Sequence, residues 1–248
     1  MKKILLSFIL FFGVFVFSIP VSAIDAYKQG VEAYRKSDYP SAVAFFSKAP
    51  DSPSKFYNLG NCYYKLDSIG MSVYYFQKAK KLLGDDPDLI NNLQMANAKT
   101  TDKMDPPAEF FLLTWARKVM LFFPVWFFPW MSLLASFAAS VFFVFFFRSQ
   151  KQASRKAHFL LTLLSVVILI GSVVFSFARQ AVVTNPTGVV IISSSASVLN
   201  EPLIGATELF VFHEGSVLIF ESQEPGWVQV RLPGGNSGFI REQQVRKF

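Results

Sequence analysis

One cysteine, Cys62, and two histidines, His158 and His213, stand in a chain of 248 residues. A lone cysteine excludes an intramolecular disulfide, a CxxC redox pair and a cysteine zinc site within one chain. Charge is scarce too, at 17% against 52% hydrophobic residues and a mean hydropathy of +0.36, a poor composition for a plain soluble globule. Acidic side chains are missing altogether from residues 110–180, which hold seven basic ones. Elsewhere the signs balance: residues 24–109 carry eleven basic and eleven acidic side chains, and 181–248 carry four and six. The net charge of +7 therefore sits in apolar stretches and their flanks, where Lys and Arg set membrane orientation, and no nucleic-acid partner is expected.

The familiar catalytic patterns are missing as well. HExxH, GxSxG and GxxxxGK do not occur. Ser193-Ser-Ser195 has no His or Lys near it in sequence and reads as a polar linker. Asp85-Asp-Pro-Asp88 lacks the loop length and Glu of an EF-hand and reads as a helix cap. Pro233-Gly-Gly235-Asn, with no Lys, reads as a hairpin turn. The expectation is a non-enzymatic chain with no cofactor and no metal.

What is present in quantity is long apolar runs. Lys2 and Lys3, the run Ile4–Ile19 and Val21-Ser-Ala23 predict a secretory signal over 1–23, with an uncleaved signal anchor as the alternative. Two further runs, 125–147 and 159–178, are each long enough to cross a bilayer. Residues 105–124 read as a linker and a helix lying in the membrane surface. Between the two spans, 148–158 carries Arg148, Lys151, Arg155 and Lys156 and no acid, which predicts a cytoplasmic loop. On that topology 24–104 and 179–248 share the exported side, and His158 and His213 lie on opposite sides of the membrane.

Residues 24–99 have helical periodicity and repeat. Gly30, Ala42 and Ala49 are matched in register by Gly60, Ser72 and Ala79, Tyr34 by Tyr64 and Phe46 by Phe76. Small residues at these spacings let antiparallel helices approach closely, and the aromatic positions are expected to fill the space between successive hairpins. Ser37-Asp-Tyr39 and Asp67-Ser-Ile69 make the turns. The segment resembles two tetratricopeptide repeats, with Tyr57-Asn-Leu-Gly60-Asn and Tyr63-Tyr-Lys65 very close to that family's first helix. Set against that family's 34-residue period, the 30-residue spacing of Gly30 and Gly60 implies a second helix shortened at Pro50–Pro53, and Asp88–Lys99 is then a capping helix, with Gln94 where the repeat has Gly. The resemblance implies a peptide groove lined by Tyr27, Val31, Tyr34, Arg35, Tyr57, Asn61, Tyr64 and Lys65; for each tyrosine, simple hairpin packing is the alternative. Tyr27 and Val31 stand where a carboxylate clamp has Lys and Asn, so the expected ligand is an extended peptide or a partner helix held by apolar contacts.

Beyond residue 179 the pattern turns to short β-type runs, Gly188–Ile192, Glu208–Phe212, Ser216–Phe220 and Trp227–Arg231. His213-Glu-Gly215-Ser-Val217, Gly226-Trp227 and Gly238-Phe-Ile240 resemble a bacterial SH3-like domain, whose surface would hold Phe210, Trp227 and Phe239, with core packing the alternative for Trp227. The fold class expected is a multi-domain membrane protein: all-α tetratricopeptide hairpins, two transmembrane helices and a small all-β SH3-like barrel.

The order of parts, with Lys48-Ala-Pro50, Tyr57–Asn61, Asp88-Leu-Ile-Asn-Asn-Leu93 and Lys99-Thr-Thr-Asp102-Lys103, resembles the E-type proteins of the aerotolerance (Bat) operon family. That resemblance implies a bacterial inner-membrane scaffold with both soluble parts periplasmic. It would work beside von Willebrand factor A domain proteins and a MoxR-type ATPase in stress tolerance. A tether to peptidoglycan through the SH3-like part is the other function considered.

Overall fold

Helix caps and a buried Gly–Phe contact, used twice, organise the first half of the chain. The computed structural model describes residues 21–103, 111–124 and 126–248. Residues 1–20 of the signal expected over 1–23, residues 104–110 of the expected linker and Val125 lie outside the described residues. Five helices come first: α1 (Val21–Arg35), α2 (Tyr39–Lys48), α3 (Pro53–Lys65), α4 (Ile69–Leu83) and α5 (Pro87–Ala98). Asp38, Ser52 and Asp86 cap α2, α3 and α5 by accepting the N–H groups of Ser41, Lys55 and Leu89. Asp86 confirms the capping expected of its acidic run. Both hairpin turns use a left-handed residue, Ser37 at φ 61° and Asp67 at φ 57°.

Each hairpin closes on one phenylalanine. A Cβ on Gly30 would lie 2.6 Å from the Phe46 ring, and one on Gly60 would lie 2.5 Å from Phe76. Both rings are buried, and covering each stabilises the fold by about 1.5–3 kcal/mol. Tyr27 and Tyr57 pack on these rings at centroid distances of 5.4 and 6.0 Å. The hairpins differ in length, since α2 has 10 residues and α4 has 15. The short connection after α2 is held by the buried Lys55, whose ammonium donates to Ser47 O, Ala49 O and Asp51 Oδ1 at 3.2, 2.6 and 2.9 Å. Three acceptors make this buried charge tolerable.

α6 (Phe111–Phe122) precedes two helices long and apolar enough to cross a membrane, α7 (Phe127–Arg148) and α8 (Gln152–Thr184). They form a hairpin in which small side chains, Ala135, Ser165 and Ser172, are buried while Leu134, Phe137 and Phe177 face outward. Ser165 and Ser172 satisfy their hydroxyls on the carbonyls of Leu161 and Ile168. The loop expected over 148–158 shrinks to Ser149–Lys151, because α8 starts well before its apolar run. Gln, Ala, Arg and Lys are good helix formers in water, so hydropathy marks the apolar thickness and not the helix ends. At the other end, the Arg179 guanidinium donates to Met120 O and Phe123 O and so caps the last carbonyls of α6.

The rest is one antiparallel sheet of seven strands: β1 (Gly188–Ile191), β2 (Ser195–Leu199), β3 (Glu208–His213), β4 (Val217–Glu224), β5 (Trp227–Arg231), β6 (Ser237–Arg241) and β7 (Val245–Lys247). Its order is β3-β2-β6-β5-β4-β1-β7. Every strand sends a residue into a single core, among them Ile191, Val198, Phe212, Leu218, Val230, Ile240 and Val245, so the sheet curls around itself. Pro225-Gly226 joins β4 to β5, with Gly226 at φ 78° as a type II turn requires. Pro233-Gly-Gly235 makes the turn into β6, as expected, with Leu232 N–H on Asn236 O. Ser195 is not linker but the start of β2, because Ala196 and Val198 alternate inward between polar neighbours.

The helical and β units are docked. Val190, Val217 and Phe248 join the helical core of Phe56, Ile69, Val73, Phe76, Ala79, Leu89, Leu93 and Ala96. Val189 and Ile191 point into the β core, and Val190 points out of it into the helices. That explains a strand buried on both faces.

Candidate protein-interaction site

The residues expected to line a groove lie on α1 and α3, and α5 completes the same row. Asn58 Nδ2 donates to Tyr27 OH at 2.9 Å. One repeat further, Asn92 Nδ2 donates to Tyr57 OH at 2.8 Å and to Asn61 Oδ1 at 2.9 Å. An Asn–Tyr bond therefore ties each first helix to the next. Asn58 and Asn92 were not singled out in the sequence, although each stands one residue before the repeat's leucine, Leu59 and Leu93. Tyr64 carries the Lys99 ammonium 4.6 Å over its ring, and Lys99 also bonds Asp67 at 2.8 Å. The second-repeat part of the expected groove, Tyr57, Asn61 and Tyr64, is thus engaged by α5 and the residue after it. The first-repeat part is more open: Val31 and Tyr34 are half-buried and Arg35 is exposed, while of the second-repeat residues Lys65 is exposed at the end of α3. Tyr27, Val31 and Arg35 line a shallow depression together with Lys28, Gln29 and Glu32.

No protein-family model matches the chain, and no curated protein matches it either.

Behind this face lies an aromatic cluster that the repeat spacing alone does not indicate. Tyr63 and Tyr75 stack at 5.4 Å, Tyr74 meets Tyr75 edge-on at 4.9 Å, and Lys78 sits 4.0 Å over the Phe56 ring. Burial pushes the Tyr75 hydroxyl up to about 12, and neighbouring Tyr63 and Tyr74 add to it. Burial likewise takes the Cys62 thiol to about 12, so this cysteine is no nucleophile at neutral pH. Among the described residues no three His, Cys, Asp or Glu side chains gather as a metal site.

An Asp, a His and a Ser do meet between the two units, in a geometry of docking. Asp102 Oδ2 accepts the His213 N–H at 2.6 Å and the Ser216 hydroxyl at 2.5 Å, and Oδ1 meets His213 Nδ1 at 3.1 Å. Ser216 bonds the carboxylate and not the imidazole, so the serine–histidine contact of a nucleophile–base pair is not made here. Burial raises the Asp102 carboxyl, but its bonds from Ser216 and His213 outweigh this and hold it below the usual value. Beside it, Glu214 Oε1 accepts the Gly70 N–H at 2.7 Å, capping α4, whose own Ser68 makes no side-chain cap bond. Close approach requires glycine on both sides. A Cβ on Gly70 would meet Ile191 O at 2.6 Å, and one on Gly215 would meet the Thr100 methyl at 2.4 Å.

The three aromatic residues expected on one β surface do not share it. Trp227 and Phe239 are diagonal neighbours on the outer face of β5 and β6, with Arg241 5.7 Å over the indole. Phe210 stands opposite the inward Val198 and so leaves β3 on the other face. The basic group at the helical hairpin does cluster: Arg148 ends α7, Lys151 precedes α8, and Arg155 lies 4.8 Å over Phe146.

Proposed function

We propose that this chain is a non-enzymatic membrane scaffold whose helical repeats, read as a tetratricopeptide pair, hold a membrane-anchored protein partner. The observation that carries this reading is the row of first helices with its half-buried tyrosines, built twice on the same Gly–Phe contact and open at α1. Aromatic and basic side chains without a carboxylate clamp suit an extended segment or helix with apolar contacts. The β unit is read as SH3-like. The docking of the two units supports a hairpin of two spans, since contact requires both on one side of the membrane. With Arg148, Lys151, Arg155 and Lys156 at the closed end of the hairpin, that side is the periplasm of a bacterial inner membrane. Membership of the Bat aerotolerance group, with von Willebrand factor A domain proteins and indirectly a MoxR-type ATPase as partners, belongs to this proposal and rests on the sequence marks.

Co-purification from detergent tests it. Tyr34→Ala with Tyr64→Ala should lose the partner while the protein still melts cooperatively, and full recovery by the folded double variant would remove the groove from the reading. A second reading, a peptidoglycan tether, is favoured by the paired outer-face aromatics Trp227 and Phe239. It predicts that the full chain in nanodiscs binds purified sacculi and that Trp227→Ala releases it.

A further inference from the structure

The two edges of the β-sheet are built differently. β7 is three residues long, turns Val245 inward and carries Arg246 and Lys247, the usual means of keeping an edge unpaired. β3 is six residues long and exposes side chains from both faces: Phe210 is 55% and Val211 42% exposed. Leu203 and Ile204, in the loop before it, are 59% and 84% exposed. Its backbone is available as well. The His213 N–H points away from β2, because Asp102 takes it, so the Ser195–His213 pair is not hydrogen-bonded. Alternation along the ladder then turns Val211 N–H and C=O outward too, and no described group bonds them. Asp102 thus plugs the edge at one end and leaves the next outward position open. Residues 195–213 include Glu201 and Glu208 and no Lys or Arg. Acid flanking disfavours an anionic lipid surface and also a second copy of the same edge.

We propose that the β3 edge receives an extended segment of a partner protein as an added strand, with alternating apolar side chains and basic residues flanking them. This rests on reading the β unit as an interaction module but not on the helical groove. The test uses the full chain in phosphatidylcholine nanodiscs, labelled with an environment-sensitive dye at Ile204→Cys; the buried Cys62 does not compete for the dye. The probe is the peptide Lys-Val-Thr-Val-Thr-Val-Lys. Saturable binding is expected, weakened about tenfold by Val211→Pro, which removes an outward N–H and leaves the β2 ladder intact. Glu208→Lys should weaken it several-fold, and N-methylation of the peptide's valine and threonine amides should abolish it. Tyr34→Ala with Tyr64→Ala should leave the titration unchanged, so this proposal and the groove fail separately. Absence of binding, or equal binding of the N-methylated peptide, would overturn the proposal. So would quenching of the dye by spin-labelled lipid, which would assign the face to the bilayer. Disulfide formation between Val211→Cys chains in native membranes would assign it to a second copy and overturn it equally.

Discussion

The first helical hairpin, α1–α2, and the second, α3–α4, have the same interior and different surroundings. Each puts a phenylalanine ring where a glycine leaves room for it, and each turns through one left-handed residue. The first caps its second helix from its own chain neighbourhood, through Asp38. The second takes its cap from Glu214, more than a hundred residues later, and lends its outer face to Val190, Val217 and Phe248. A repeat sequence therefore specifies how each hairpin packs, while the departures from the repeat mark where the hairpin is joined to something else. Ser68, Gly70 and the longer α4 are such departures.

Truncating the two central rings tests that contrast at its strongest. Phe46→Ala and Phe76→Ala should each destabilise the protein by about 3–5 kcal/mol, read from thermal unfolding of the detergent-solubilised chain. Only Phe76→Ala should also speed hydrogen exchange in β1, because Phe76 and Val190 belong to one core. Equal exchange in β1 for both variants would mean that the β unit does not feel which hairpin it rests on.

Next in size is the clamp between the units. Asp102→Ala leaves the His213 N–H and the Ser216 hydroxyl without their acceptor and should cost about 1–3 kcal/mol, with faster proteolysis between the units. Its pH dependence follows from the lowered carboxyl. The stabilisation is fully present above the ordinary aspartate value of about 3.9 and is lost as pH falls below it, through the lower value Asp102 has when docked. Asp38 and Glu221 are also held low, so the difference between wild type and Asp102→Asn isolates the clamp. Identical acid profiles for the two proteins would show that the carboxylate does not hold the units together.

The caps sharpen the comparison at a smaller scale. Glu214→Ala should cost about 0.5–2 kcal/mol and release the Gly70 amide to exchange. Asp38→Ala should release the Ser41 amide and leave the β unit unchanged. If Glu214→Ala freed Gly70 with no loss of docking, the cap would be local after all.

Much of this architecture is legible in the sequence because it is local or periodic. The repeated small and aromatic positions, the capping Asp86 and the two apolar helices all follow from spacing along the chain, whereas the contact of each glycine with the phenylalanine of its own hairpin emerges only in the fold. β2 escaped because three serines hide the inward alternation of Ala196 and Val198, a signal of two residues in five. The docking surface escaped for another reason: Asp102 and Ser216, or Gly70 and Glu214, are far apart in the chain and carry no pattern until the fold brings them together. Of the expected groove, the tyrosines are where the repeats put them, but a chain of two repeats cannot reveal that a third helix will bond Tyr57 and Asn61.

That third helix gives the smallest and most selective difference between the hairpins. Tyr27→Phe removes the 2.9 Å bond by which Asn58 links α3 to α1, leaving that amide to water, and should cost about 1 kcal/mol. Tyr57→Phe removes the corresponding bond to Asn92, but Asn92 keeps Asn61 as an acceptor at 2.9 Å. Its cost should therefore be a few tenths of a kcal/mol, below the usual range for a single lost bond. Paired denaturant melts of the two variants decide the order. The reverse order, with Tyr57→Phe the more damaging, would mean that Asn61 does not hold Asn92 in place. The inner end of the tyrosine row would then be tied to α5 less firmly than the bonds of Asn92 imply.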